Sequence, residues 1–130
     1  MNTISEIYKE SIIQEKSFKF SLKVIELYKQ LSKIDNNPIL KQLLRSATSI
    51  GANVNEASAG QTKRDFVMKM AIASKEARET AYWLRLLNDS NWYNIDLKSH
   101  INESNEVLKI LTKIVKTSQE NLKNKVTGWV

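Results

Sequence analysis

The sequence predicts an all-α protein, an elongated up-down antiparallel four-helix bundle formed as one domain over residues 1–130. Three observations carry this. Apolar residues recur at the three-to-four spacing of a single helix face over four separate stretches. Only 3 Gly and 1 Pro occur among 130 residues, too few for a turn-rich β barrel, so the elements must be long. Finally, 42% of the residues are hydrophobic, which is enough for one core in a chain of ordinary single-domain length.

The first helix is expected at about 15–34, where Phe20, Val24, Leu27, Leu31 and Ile34 share one face. Asp35-Asn36-Asn37-Pro38 stops it, with Asn37 placed as N-cap and Pro38 as the first residue of the next helix. The second helix, 38–59, carries Leu40, Leu43, Leu44, Ala47, Ile50, Val54 and Ala57. Gly51 inside it costs about 1 kcal/mol of helix propensity relative to Ala, and close approach of a neighbouring helix would explain it. Gly60 ends this helix as a C′ residue, and Thr62 with Asp65 three positions on reads as the N-cap of the third.

Helix three, 62–88, has the stripe Phe66, Met70, Ala73, Ala77, Ala81, Leu84 and Leu87. Its small central residues allow close packing. Turn formers Asn88 to Asn91 and Asn94 precede helix four, 95–122, with Leu97, Ile101, Leu108, Leu111, Val115 and Leu122 as its seam. At 1.5 Å per residue the last two helices are rods of about 40 Å joined by short connections. A short N-terminal segment and a C-terminal tail flank the bundle. Trp129 in the tail either docks on the bundle or a neighbouring subunit, or belongs to a frayed end.

Composition excludes several kinds of chemistry. With no Cys, disulfides, thiolate metal sites and cysteine nucleophiles are absent. His100 is the sole histidine, there is no Gly-rich phosphate loop, and no Glu-x-x-His pair of the di-iron type occurs. Glu76 and Glu79 share a helix with Lys75 and Arg78 between them, so salt bridges are the default reading rather than a metal site. No catalytic residues, cofactor or metal are therefore expected, and the chain reads as a non-enzyme. The start, with Glu6, Lys9, Glu10 and Glu15 among its apolar residues, lacks the run a signal peptide needs. No membrane contact is expected, and a cytoplasmic location follows.

The charge is more suggestive. Twenty Lys plus Arg against 14 Asp plus Glu leave +6. Helix three puts Lys63, Arg64, Lys75, Arg78 and Arg85 within an arc of about 120°, with Tyr82 among them. Helix four aligns Lys98, Lys109, Lys116 and Lys123. Such stripes attract phosphate backbones, RNA or DNA alike, although a solvated lysine-rich surface has the same pattern. Opposite the apolar stripe of helix two, Arg45, Ser49, Asn53 and Glu56 form a polar ladder suited to solvent or to an interhelical hydrogen-bond network. Helix one is apolar over most of its circumference. Either self-association or the N-terminal segment, with Ile4, Ile7, Tyr8, Ile12 and Ile13, would cover the excess.

The stretch from Arg45 through Ser46-Ala47-Thr48-Ser49-Ile50-Gly51-Ala52-Asn53-Val54-Asn55-Glu56 to Ala57 resembles the signature of the 23S rRNA intervening sequence family, also called the S23 or four-helix-bundle family. Lys63-Arg64-Asp65-Phe66, Ile72-Ala73, Lys75 to Thr80 and Tyr82 to Leu87 continue the resemblance in order. It covers helices two and three. One departure is Ala57, where the family commonly has Gly.

The resemblance implies a small bacterial protein, a left-handed up-down bundle and a pentameric ring. Some members are encoded inside insertions in 23S rRNA genes. A similar bundle, the accessory variability protein of diversity-generating retroelements, binds nucleic acid and a reverse transcriptase, so a nucleic-acid enzyme is a further implied partner. The family's polar positions fall on Arg45, Ser49, Asn53, Glu56 and Glu79, implying helix or subunit contacts. Two functions stay open: an oligomeric module binding structured RNA or DNA through Lys63, Arg64, Lys75, Arg78, Arg85, Lys109 and Lys116, or a structural or protein-interaction ring without nucleic acid.

Overall fold

The computed structural model describes residues 4–127, and the side chains of residues 10–124. Four helices follow one another: α1 (Ile4–Leu31), α2 (Pro38–Ser58), α3 (Lys63–Asp89) and α4 (Lys98–Thr127). Each packs against its neighbours in the chain, and α1 closes the cycle against α4, while the backbones of diagonal pairs stay apart. Short connections and this cyclic order make an up-down bundle of all-helical content. No described helix is long and apolar enough to cross a membrane.

The capping residues act as their chemistry dictates. Asn37 accepts the Ile39 amide at 2.8 Å with Pro38 at the first helical position. The Thr62 hydroxyl accepts the Asp65 amide at 3.0 Å. Gly60 sits one residue past the Ala59 cap, yet its φ is not positive. Space explains this glycine instead, because a Cβ would lie 3.1 Å from the Ala57 carbonyl and 3.5 Å from the Asp65 Cβ. At Gly51 a Cβ would come 3.3 Å from the Ser21 hydroxyl and 3.6 Å from the Ser17 carbonyl. Here α1 and α2 approach closely, and the glycine opens the room.

α1 departs from its expected bounds. It starts at Ile4 rather than near Glu15, because Ile13, Ser17, Phe20, Val24, Leu27 and Leu31 form one buried line whose spacing runs unbroken into the N-terminal segment. It closes at Leu31, where the Ile34 amide turns back to the Leu31 carbonyl at 3.0 Å and leaves Ile34 exposed. α4 begins at Lys98 rather than Ile95, with the Leu97 carbonyl accepting the Ile101 amide at 2.9 Å and the Asp96 carboxylate accepting the Lys98 amide at 2.9 Å. It extends to Thr127 rather than Leu122. The expected docking of Trp129 and the side chains of Ile4, Ile7 and Tyr8 lie outside the described residues.

The core joins all four helices through Ile13, Phe20, Val24, Leu40, Leu43, Ala47, Ile50, Val54, Met70, Ala73, Ala77, Leu84 and Leu111, among others. The seam of α4 runs through Leu97, Ser104, Val107, Leu111 and Ile114. Leu108 and Val115, expected at its centre, are only half-buried, as is Phe66 on α3. Between α2 and α3, the buried Thr80 hydroxyl donates to the Ser46 oxygen or to its own Glu76 carbonyl, both at 2.8 Å. At one end of the bundle Asp35 ties two connections together. It accepts from the Trp92 indole at 2.7 Å and from the Tyr93 hydroxyl at 2.6 Å.

Candidate nucleic-acid interface

The disposition of acidic partners shapes the surface. Glu106 reaches Lys16 at 2.8 Å and Glu103 reaches Lys23 at 2.9 Å, both drawn from α4 toward α1. Glu15 and Glu26 pair with Lys19 and Lys29 within α1. Carboxylates on α3 are drawn the other way, toward α2. Arg45 spans Glu76 at 3.1 Å and Glu79 at 3.3 Å, while its Nε donates to Gln42 at 3.0 Å.

The salt bridges of Glu76 and Glu79 thus cross between helices, rather than joining Lys75 and Arg78 along α3. The reason is exposure: the Glu76 side chain is 13% accessible in the α2–α3 groove, and Arg45 is the cation that faces that groove. Lys75 and Arg78 point the other way and remain exposed.

Consequently Lys63, Arg64, Lys75 and Arg78 have no carboxylate partner among the described residues, and Arg85 has only Asp89 at 3.7 Å with its own side chain 79% exposed. At 100° per residue Arg64, Lys75 and Arg78, with the exposed Tyr82, lie on the side of α3 that faces away from Met70, Ala73, Ala77 and Leu84, with Arg85 at its margin, while the half-buried Lys63, seven residues before Met70, sits toward the bundle. On α4, Lys109 and Lys116 are exposed opposite Val107, Leu111 and Ile114 and likewise lack an ion pair. α3 and α4 are packed neighbours. The excess positive charge therefore gathers on two adjacent helices.

The polar ladder of α2 divides in two. Arg45 belongs to the groove network just described. Ser49 and Asn53 are half-buried, and the Asn53 amide donates to the Ser49 carbonyl at 2.8 Å, a bond inside α2 rather than between helices. Glu56 is exposed. Sequence reasoning missed the Ser46–Thr80 contact; its signal was a small polar residue in each of two apolar stripes.

On α4 the His100 ring faces α1. Its Nδ1 and the nearby Ser104 hydroxyl are buried without a hydrogen-bond partner. Burial, followed by the Lys23 amine, pushes the imidazole below its ordinary value of 6.5, against an opposing pull from Glu103. Between the folded and unfolded values the unfolded chain binds more protons. Stability is thus complete above about pH 6.5 and falls as pH drops through that window. Urea melts from about pH 7.5 to 5 should show this decline, and His100→Gln should flatten it. Equal slopes for the two proteins would discard the assignment. Glu15 and Glu106, held below the usual carboxylate range by Lys19 and Lys16, titrate under this window. No group of three His, Asp or Glu suited to a metal ion occurs among the described residues.

Comparison with known proteins agrees with this architecture. The profile of the 23S rRNA-intervening sequence protein family matches residues 9–113. A solved structure from Bacteroides thetaiotaomicron, described as a protein with unknown function from the S23 ribosomal protein family, is 41% identical with a TM-score of 0.77. The match covers 83% of this chain and 98% of that one. No curated protein matches.

Proposed function

Because the chain belongs to the 23S rRNA-intervening sequence protein family, we propose that it is a non-catalytic cytoplasmic protein that assembles with copies of itself into a ring and holds structured RNA or DNA on the basic faces of α3 and α4. The observation that carries this reading is the gathering of unpaired cations there. Glu76, Glu79, Glu103 and Glu106 are engaged with Arg45, Lys23 and Lys16, which leaves Asp89 near Arg85 and Glu120 near Lys116 as the carboxylates that border the stripes. In a ring the stripes repeat and the attractive field strengthens. A nucleic-acid enzyme is the further partner, supported by the resemblance to the retroelement accessory protein. Binding to a structured RNA at low salt, weakening steeply as salt rises, is the test.

Assembly has its own support. Phe18, Leu22 and Ile25 are 64%, 51% and 38% exposed and stand at i, i+4 and i+7 on the outer face of α1. The N-terminal segment cannot fold over them, since it continues the same helix. A second copy is the proposed cover, with pentamers as the expected ring. Light scattering at micromolar concentration should then give a mass near five times 15.0 kDa, and Leu22→Asp should reduce it to that of a monomer. A wild-type monomer throughout that range refutes the ring. If the ring forms but binds no RNA or DNA at low salt, this same apolar stripe favours a structural or protein-interaction ring.

A further inference from the structure

At the end of the bundle where α2 turns into α3 lies a cleft of about 290 Å³, bounded by α4 and by Glu10 of α1. Its existence follows from helix lengths. The Gln14 side chain bonds Ser58 in the last turn of α2, so the part of α1 before Gln14 runs on beyond the end of α2. The α2–α3 corner leaves a recess beside the longer α1 and α4. The volume is at the lower edge of the roughly 300–1,000 Å³ typical of small-ligand sites.

The lining has two characters. Phe66, Val67 and Ile114 supply apolar surface, with Phe66 half-buried and aromatic. Lys63 and Lys113 stand in the same wall together with the Thr117 hydroxyl, and neither lysine has an ion pair among the described residues. The first turn of α3 borders the cleft as well, adding the partial positive charge of a helix N-terminus to that of the lysines. Glu10, the acidic residue of the lining, has a partner of its own.

We propose that this cleft binds a nucleoside monophosphate unit, its phosphate held by Lys63 and Lys113 and its base lying on the Phe66 and Ile114 surface. Two unpaired ammonium groups suit a phosphomonoester, and an aromatic floor accepts any base by stacking. A free mononucleotide and the phosphorylated end of a strand present the same chemistry. Supplied by a strand end, the site rests on the nucleic-acid reading above; supplied by a free nucleotide, it stands without it.

The experiment titrates the full chain with adenosine 5′-monophosphate, adenosine and inorganic phosphate by calorimetry, and with one single-stranded oligonucleotide carrying either a 5′-phosphate or a 5′-hydroxyl. The monophosphate should bind at least about tenfold more tightly than adenosine or phosphate alone, and Lys113→Gln should weaken it about tenfold. Ser118→Trp, which fills the cleft, should abolish it, with unchanged helicity certifying the fold. A preference for the 5′-phosphorylated strand over the 5′-hydroxyl strand identifies a strand end as the source, whereas equal affinities of the two strands, with the monophosphate bound, identify the free nucleotide. Arg78→Glu with Arg85→Glu lies outside the cleft and should leave monophosphate binding intact. Loss of structured-RNA binding in that variant, with the monophosphate still bound, separates the cleft from the basic faces. No difference between the monophosphate and adenosine, or none between Lys113→Gln and wild type, overturns the proposal.

Discussion

Leu111→Ala should lower the unfolding free energy by about 2–5 kcal/mol, read as a shift in the urea midpoint at constant slope. Leu111 is fully buried at mid-length of α4, on the seam with Val107 and Ile114. Truncation removes three carbon atoms from a site bounded by rigid helices, so the cavity cannot collapse, and transfer and cavity terms add. A domain of this size has about 5–15 kcal/mol in total. The loss is therefore a large share of the whole. Lys109→Ala, two residues away on the exposed face, is the control and should stay within about 0.5 kcal/mol. A midpoint for Leu111→Ala equal to that of the control would remove Leu111 from the core.

Comparing Leu111 with its neighbours shows what can be read from the chain and what cannot. Caps are local, so Asn37-Pro38 and Thr62 with Asp65 were legible from a few residues each. The line of α2 was legible too, because Leu40, Leu43, Ala47, Ile50 and Val54 keep the three-to-four spacing although the buried Ser46 stands among them. On α4 the buried line passes through Ser104. That polar position hides the spacing and shifts the apparent seam by one residue, from Val107 and Ile114 to Leu108 and Val115. α1 was misplaced for a related reason: Ile12 and Ile13 are adjacent in sequence, and only the bundle decides that Ile13 is the one inside.

The candidate site was legible as residue types but not as pairings. Stripes on α3 and α4 follow from helix geometry alone. Which cations keep their charge unpaired depends on contacts between distant segments. Arg45 meets Glu76 and Glu79 from 31 and 34 residues away. Lys16 and Lys23 draw off Glu106 and Glu103 from across the bundle. No local pattern encodes either, and both bear on the charge balance that a phosphate backbone would meet.

That balance sets the largest expected effect on binding. Arg78→Glu combined with Arg85→Glu should weaken structured RNA or duplex DNA by about 100-fold or more, since each reversal removes a charge-assisted contact and adds a repulsion. Five contacts from Lys63, Arg64, Lys75, Arg78 and Arg85 would give a log-log salt slope of about 3.5–4.5. Removing two should bring it to about 2–3. Base sequence should matter little, because cations on an outward helix face position phosphates without reading base edges. Both arginines are exposed, and Arg85 has only the 3.7 Å approach of Asp89. Circular dichroism and light scattering should therefore match wild type. A variant that keeps its slope and affinity would move the contacts off α3, leaving Lys109 and Lys116 on α4 to carry them; reversing those two as well without effect would end the nucleic-acid reading of both faces.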